Sequence, residues 1–279
     1  MERKISYFDL KNEVLLEFKK VGLEDDIADF DWICCEVTGK RRSELGFIQS
    51  FSNDELNQIK LAIEKRLQHI PLAYIFGKTN FYGYDFIVNS NVLIPRLDTE
   101  VLVERVIDEI KSRQMPVSVL DVGTGSGAIA ITLNKETGAK VIAVDVSEKA
   151  LDVAKKNAQL NNAEVEFVQS NLFSNLYGLK VDIMVSNPPY IESSQIDSLE
   201  AEVRDNEPIL ALDGGLTGLE FYEKIVQESD RYLNANGKLF FEIGFNQGLA
   251  VSEMMKLKFK NVQIIKDYLG QDRVVMGEL

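Results

Sequence analysis

Cysteine is almost absent from this chain: two in 279 residues, Cys34 and Cys35, adjacent to one another. Neighbouring cysteines cannot form a disulfide framework, and a reducing cytoplasm is the expected compartment. With a single histidine, His69, the common Cys/His metal sites lack ligands and no metal is expected. His69 ends a helical pattern and reads as a surface residue. No apolar run approaches the roughly 18–20 residues that span a bilayer, and the opening M-E-R-K-I-S-Y-F-D lacks a signal-peptide core, so no membrane partner is expected. Positive charge is short as well: 31 Lys and Arg stand against 44 Asp and Glu, a net charge of −13. Nucleic-acid affinity rests largely on basic groups neutralising phosphates, so a nucleic-acid substrate is not expected. The run K-R-R at 40–42 reads as a solvated helix end.

What is present suits a globular protein, with 45% hydrophobic and 27% charged residues. The first seventy residues have helical texture. Ser52-Asn53-Asp54-Glu55 has capping-box spacing, and Leu56, Ile59, Ile63, Leu67 and Ile70 then recur on one face. A small all-α domain over residues 1–72 is predicted. After Pro71 the stretch F-Y-G-Y-D-F-I-V-N gathers aromatic and β-branched residues around Gly83, predicting a β-hairpin linker within 73–92. A helix follows from about Asp98. From Val117 strands and helices alternate: V-S-V-L-D-V, V-I-A-V-D, V-E-F-V-Q and V-D-I-M-V-S are the strands, with helices from Ala128 and Glu148. That rhythm signals parallel βαβ units. K-L-F-F-E-I-G is a further strand, and N-V-Q-I-I-K-D with R-V-V-M-G-E-L looks like a terminal hairpin. One α/β domain over 93–279 is the expectation.

The first of these strands runs into D-V-G-T-G-S-G-A, residues 121–128. Its glycines allow a tight turn and a close approach to a ligand, and the helix beyond Gly127 aims free N–H groups at it. The loop also fits G-x-G-x-x-A (Gly123, Gly125, Ala128), a dinucleotide pattern. The second strand ends at Asp145, about 20 residues on, where a carboxylate can accept from both ribose hydroxyls. NAD and S-adenosyl-L-methionine both satisfy these features. Asp121 leading three alternating glycines, with no second mononucleotide-binding half, favours S-adenosylmethionine.

The fourth strand delivers S-N-P-P-Y, residues 186–190, to the same edge. Proline donates nothing to a ladder and forces the preceding residue into extended backbone, so the strand stops with bare carbonyls. Methyl transfer to an amide or aromatic amine needs its NH₂ held by acceptors, because the nitrogen lone pair is delocalised. The Asn187 side-chain oxygen and the Pro188 carbonyl can supply them, with Pro189 shaping the turn and Tyr190 stacking on a planar group.

Taken together, P-L-A-Y-I-F-G (71–77), L-I-P-R-L-D-T-E (93–100), the glycine loop, S-N-P-P-Y-I, E-P-I-L-A-L-D-G-G-L-T-G-L (207–219), E-I-G (242–244) and D-Y-L-G-Q-D-R-V (267–274) resemble the release factor glutamine N5-methyltransferases, the PrmC or HemK family. The likeness implies a helical domain that docks a release factor, a hairpin linker, and a Rossmann-like, seven-stranded S-adenosylmethionine-dependent methyltransferase sheet with its last strand antiparallel. By position it implies that Gly123, Thr124, Gly125, Ser126 and Gly127 approach the methionine part of the cofactor, Asp145 the ribose, and Asn171 and Leu172 the adenine, with Asn187 beside them. It further implies that Asn187, Pro188, Pro189 and Tyr190 hold the glutamine amide of a Gly-Gly-Gln loop in peptide chain release factors. Two positions depart from the pattern: Leu97 replaces a proline, and Asn171 a frequent Asp. Arg96 and Glu100 fit a structural role or ligand contact equally, and Glu242 is a candidate support from the neighbouring strand. The alternatives are an N6-adenine methyltransferase of DNA or RNA, which shares the NH₂ chemistry, and a non-catalytic cofactor-binding protein that docks partners.

Overall fold

In the computed structural model, which describes residues 5–23, 26–114 and 116–279, helices start where caps and apolar spacing agree. Helix α1 (Tyr7–Lys20) begins at Ser6, whose side chain forms a capping box with Asp9. α2 (Asp26–Thr38) and α3 (Asn53–Arg66) follow. The Ser52 box forms as read: Ser52 Oγ accepts from the Glu55 N–H at 3.2 Å, and the Glu55 carboxylate accepts from the Ser52 N–H at 2.7 Å. Ile59 and Ile63 bury against Phe18, Phe30 and Ile33, with Leu56 and Leu67 packed at the margin. Pro71 caps one more turn, α4 (Leu72–Phe76), because a missing N–H is no loss at a helix start. Leu72 and Ala73 are buried, so this compact unit runs through residue 77, five residues past the boundary expected at 72.

A charged cluster is built into this helical unit. The buried Asp31 carboxylate accepts from Tyr7 Oη, from Lys11 Nζ at 3.1 Å and from Arg42 Nε at 2.8 Å. Burial pushes its pKa up, but the hydrogen bonds from Tyr7, Arg42 and Lys11 outweigh that and hold it below the usual carboxylate value. A depressed folded pKa contributes stability that is present above the unfolded value and lost as pH falls through the folded one. Asp31→Asn is therefore expected to cost about 2 kcal/mol at neutral pH. The difference from wild type should narrow as pH falls below the ordinary carboxylate value of about 4 and on through the lower folded value of Asp31, where the carboxylate takes up its proton. Urea denaturation at pH 7 and pH 3 measures both, and equal losses at the two values would dismiss the charge as the cause.

The second compact unit opens with β1 (Lys78–Phe81) and β2 (Tyr84–Ile87), paired antiparallel about Tyr82 and Gly83. The hairpin expected as a linker is packed into this unit: Phe81 and Phe86 lie in its core. Then come α5 (Leu97–Ser112), β3 (Ser118–Val122), α6 (Ala128–Thr137), β4 (Lys140–Asp145), α7 (Glu148–Leu160), β5 (Val165–Gln169) and β6 (Val181–Ser186). α8 (Ala201–Asn206) belongs to the helical unit, where buried Arg66 reaches Asp29 and Glu202, each at 2.6 Å. The chain ends with α9 (Glu220–Ser229), β7 (Leu233–Glu242), α10 (Gly248–Lys256), β8 (Lys260–Lys266) and β9 (Asp272–Glu278).

The seven strands β3 to β9 form one sheet in the order β5-β4-β3-β6-β7-β9-β8, parallel from β5 to β7, with β9 antiparallel to both neighbours. Alternate residues face opposite sides. Val119, Val141, Ile183 and Phe240 meet α5 and α6 on one face, while Leu120, Ile142, Met184 and Phe241 meet α9 and α10 on the other. Burial on both faces explains why these strands read as continuous apolar runs. Chain order reverses between β3 and β6, and a crevice opens at the carboxyl ends of strands at such a point.

Candidate active site

The glycine loop leaves β3 at that crevice. Gly123, Gly125 and Gly127 all adopt positive φ, at 79°, 54° and 83°. At Gly127 a side chain is doubly excluded, since a Cβ would lie 2.9 Å from Ile131 Cδ1 and 3.1 Å from Ala154 Cβ. The loop is tied down from both sides. Thr124 Oγ1 donates to Asp121 Oδ2 at 2.6 Å, and Asp145 accepts from the Gly125 and Ser147 N–H groups, each at 2.8 Å. Each Asp145 oxygen keeps a lone pair for a further donor. Burial raises the Asp145 pKa, with the hydrogen bonds from Ser147 and Gly125 pulling it back. Asp121 is fully buried; burial pushes it up to about 7, opposed by Thr124 and helped by the Asp145 charge. Its Oδ1 has no partner among the described residues.

A cavity of about 350 Å³ opens beside this loop. Gly123 to Ser126, Asp145, Asn171 and Leu172 line it, as do Asn187, Pro188 and Pro189 from the end of β6. Ten of the twelve residues read from sequence as site candidates thus share one wall, and Gly127 and Tyr190 do not. Gly127 turns the chain into α6, and the Tyr190 ring packs in the apolar layer with α9 and β7, where burial pushes its hydroxyl up to about 12. Its carbonyl accepts from Gln247 Nε2 at 3.0 Å. Asn187 Nδ2 donates inward to Thr99 Oγ1 at 3.3 Å. Among the described residues nothing donates to Asn187 Oδ1 or to the Pro188 carbonyl.

The residues left open by sequence have structural partners. Glu100 Oε1 accepts from the Tyr82 N–H at 2.8 Å, holding the β1–β2 turn, and Arg96, which also lines the cavity, pairs with buried Glu207. Glu242, 2% exposed, lies behind Asn187, with Oε2 lacking a partner among the described residues. Burial pushes its carboxyl up to about 7, against hydrogen bonds from Thr99 and Asn187 and the charge of Arg273. Sequence reading missed Thr99 and Asn157. Asn157 is fully buried and bonds Ile87 through both its N–H and its carbonyl, and donates to the Ser126 carbonyl at 2.9 Å, joining hairpin and glycine loop. Both were detectable as polar residues at helical spacing on an otherwise apolar face, Thr99 with Leu102 and Val103, Asn157 with Val153 and Ala154.

Residues 94–218 match the family described as the methyltransferase small domain, and residues 9–77 that described as the PrmC N-terminal domain. A release factor glutamine methyltransferase from Enterococcus faecalis is 41% identical over 98% of this chain and 99% of its own. Another from Bacillus subtilis is 40% identical, covering 92% of each chain. Among solved structures, a methyltransferase from Pyrococcus furiosus superposes with a TM-score of 0.52 at 23% identity, over 71% of this chain and 90% of its own, a likeness that speaks to the fold alone. Sheet order, glycine loop and cavity are those of a Rossmann-like, S-adenosylmethionine-dependent methyltransferase. Within that class, the helical unit and the full-length relatives narrow the assignment, and the chain belongs to the release factor glutamine methyltransferases.

The residues present fit S-adenosylmethionine: a loop of alternating glycines for the close approach, a carboxylate with lone pairs for the ribose, and an apolar slot at Leu172 for a flat ring. Asp145→Ala is expected to weaken its binding by about 1–3 kcal/mol, the range for hydrogen bonds to a charged group. Calorimetry on the folded variant decides; unchanged affinity would remove Asp145 from the ribose site.

Proposed function

We propose that Asn187 Oδ1 and the Pro188 carbonyl hold the two N–H bonds of a glutamine side chain in the Gly-Gly-Gln loop of a peptide chain release factor. The reaction is methylation of that side-chain nitrogen, N5. S-adenosylmethionine, when bound, supplies an electrophilic methyl group on a sulfonium. The observation that carries the reading is the acceptor pair itself, two oxygens of cavity-lining residues to which nothing among the described residues donates. Acceptors placed where the N–H bonds point once the nitrogen becomes pyramidal favour that geometry over the planar amide and turn the lone pair toward the cavity. Pro189 keeps both carbonyls from retreating into a ladder.

No strong base is required of the wall. Its ionisable groups are Arg96 and Asp145, the first paired with Glu207 and the second tied to the glycine loop. A methylated amide nitrogen is cationic and gives its proton to water. The helical unit serves recognition: it presents Phe8 and Phe47, 58% and 80% exposed, while its buried Asp29, Asp31 and Arg66 are held in ion pairs. The net charge of −13 disfavours a polyphosphate substrate, and the cytoplasm, where termination of translation occurs, is the proposed setting.

Intact-mass analysis of purified release factor after incubation with enzyme and S-adenosylmethionine tests this. One added methyl group, mapped to the Gly-Gly-Gln glutamine, is the expected result. Methyl on adenine of a nucleic acid, with none on the release factor, would transfer the assignment to an adenine methyltransferase.

A further inference from the structure

An asparagine amide can present either of two ends, and only its oxygen can accept from a substrate N–H. Something must therefore choose the end of Asn187 that faces the cavity. β6 and β7 run parallel with Ser186 opposite Phe241, so one residue further out Asn187 stands beside Glu242. Glu242 is 2% exposed and does not line the cavity, whereas Thr99 and Asn187 both do. Thr99, 5% exposed, sits between them in the first turn of α5. We propose that Glu242 is a positioning residue which, together with Thr99, fixes the Asn187 amide with its oxygen toward the substrate; this rests on the reading of Asn187 as a substrate acceptor.

The chemistry of the three groups selects one arrangement. Glu242 accepts hydrogen bonds from Thr99 and Asn187, so the Thr99 hydroxyl is turned toward it as a donor and the lone pairs of Oγ1 are left for Asn187 Nδ2, found at 3.3 Å. The Asn187 N–H groups are thereby drawn to the buried side, and Oδ1 is left to the cavity. Thr99 is held from outside as well, since its neighbour Asp98 pairs with Arg273 Nη2 of β9 at 2.9 Å. Arg273 in turn bonds Asp267 at 3.2 Å, so the terminal hairpin, far off in sequence, anchors the turn that carries Thr99. The buried carboxylate is otherwise hard to account for: its Oε2 has no partner among the described residues, a cost that a purely structural position would not need.

A glutamine at 242 has nearly the same volume but offers N–H groups of its own, which can bond Asn187 Oδ1 and turn the amide over. Glu242→Gln is expected to lower kcat roughly 10- to 100-fold, short of the roughly 10²–10³-fold for losing the contact itself. Calorimetric affinity for S-adenosylmethionine should stay within about twofold. The decisive measurement is a double-mutant cycle on kcat with release factor as substrate. In an Asn187→Ala background the Glu242→Gln change should have no further effect, because there is no amide left to orient. The same fold-loss in both backgrounds, or wild-type kcat in Glu242→Gln, would overturn the proposal while leaving Asn187 in its role. Wild-type turnover by Asn187→Ala would instead end the underlying reading and this proposal with it. Should Glu242→Gln fail to fold, Thr99→Val and Thr99→Ser carry the same test: valine removes the hydroxyl and should lower kcat, and serine, which keeps it, should restore most of the loss. Equal kcat in the two Thr99 variants would refute the relay.

Discussion

Replacing Asn187 by alanine is expected to lower turnover by roughly 10²–10³-fold, the usual consequence of deleting one preorganised polar contact to a transition state. The effect should fall on kcat. Asn187 touches the cavity where β6 ends, whereas the cofactor's expected holds, the glycine loop and Asp145, belong to β3 and β4. S-adenosylmethionine affinity should therefore change little. Asn187 lies at the end of a buried strand but is itself half-buried, so folding is expected to survive. Single-turnover methylation of release factor at saturating cofactor measures the chemical step directly, and a variant as fast as wild type would remove Asn187 from it.

The second large effect is expected at Gly214, which does not line the cavity. The segment from Glu207 to Leu219 lies along the N-P-P-Y turn, with the Ile191 N–H donating to the Leu212 carbonyl at 3.0 Å and the Gly214 N–H to the Ile191 carbonyl at 2.8 Å. At Gly214 a Cβ would lie 2.7 Å from Tyr190 Cα and 2.9 Å from the Pro189 carbonyl oxygen. These are backbone atoms, so no side-chain rotation relieves the clash. Gly214→Ala should cost about 1–3 kcal/mol in stability, as overpacking does. Turnover should fall on the order of 10²-fold, since the acceptor carbonyls must move by about an ångström. Denaturation and steady-state kinetics on the same sample test the two halves together. Full activity with unchanged stability would mean that the segment is not packed against Pro189 and Tyr190.

Local chemistry made much of this protein legible in its sequence. Proline after Asn187 and again after Pro188 stops a strand wherever it occurs, and glycines at 123, 125 and 127 relax the backbone in any context. Ser52 and Glu55 cap a helix within four residues. Strand apolarity records burial on both faces, so the βαβ alternation and its edge of loops followed without coordinates. Each of these signals is carried by neighbours in the chain.

What only the tertiary structure decided depends on residues that the chain brings together from afar. Pro71 stops nothing, because it can equally begin a helix, and packing alone places Leu72 inside the first unit. Residues 200–206 join that unit because Arg66 is buried between Asp29 and Glu202, a choice no local pattern announces. Tyr190 follows two cavity-lining prolines, yet its ring turns into the apolar layer, since the strap around Gly214 fixes the backbone beyond it. The direction of the Asn187 amide was likewise out of reach of sequence. It depends on a threonine 88 residues away and a glutamate on the adjoining strand, which become neighbours only when β6 and β7 pair and α5 packs across them.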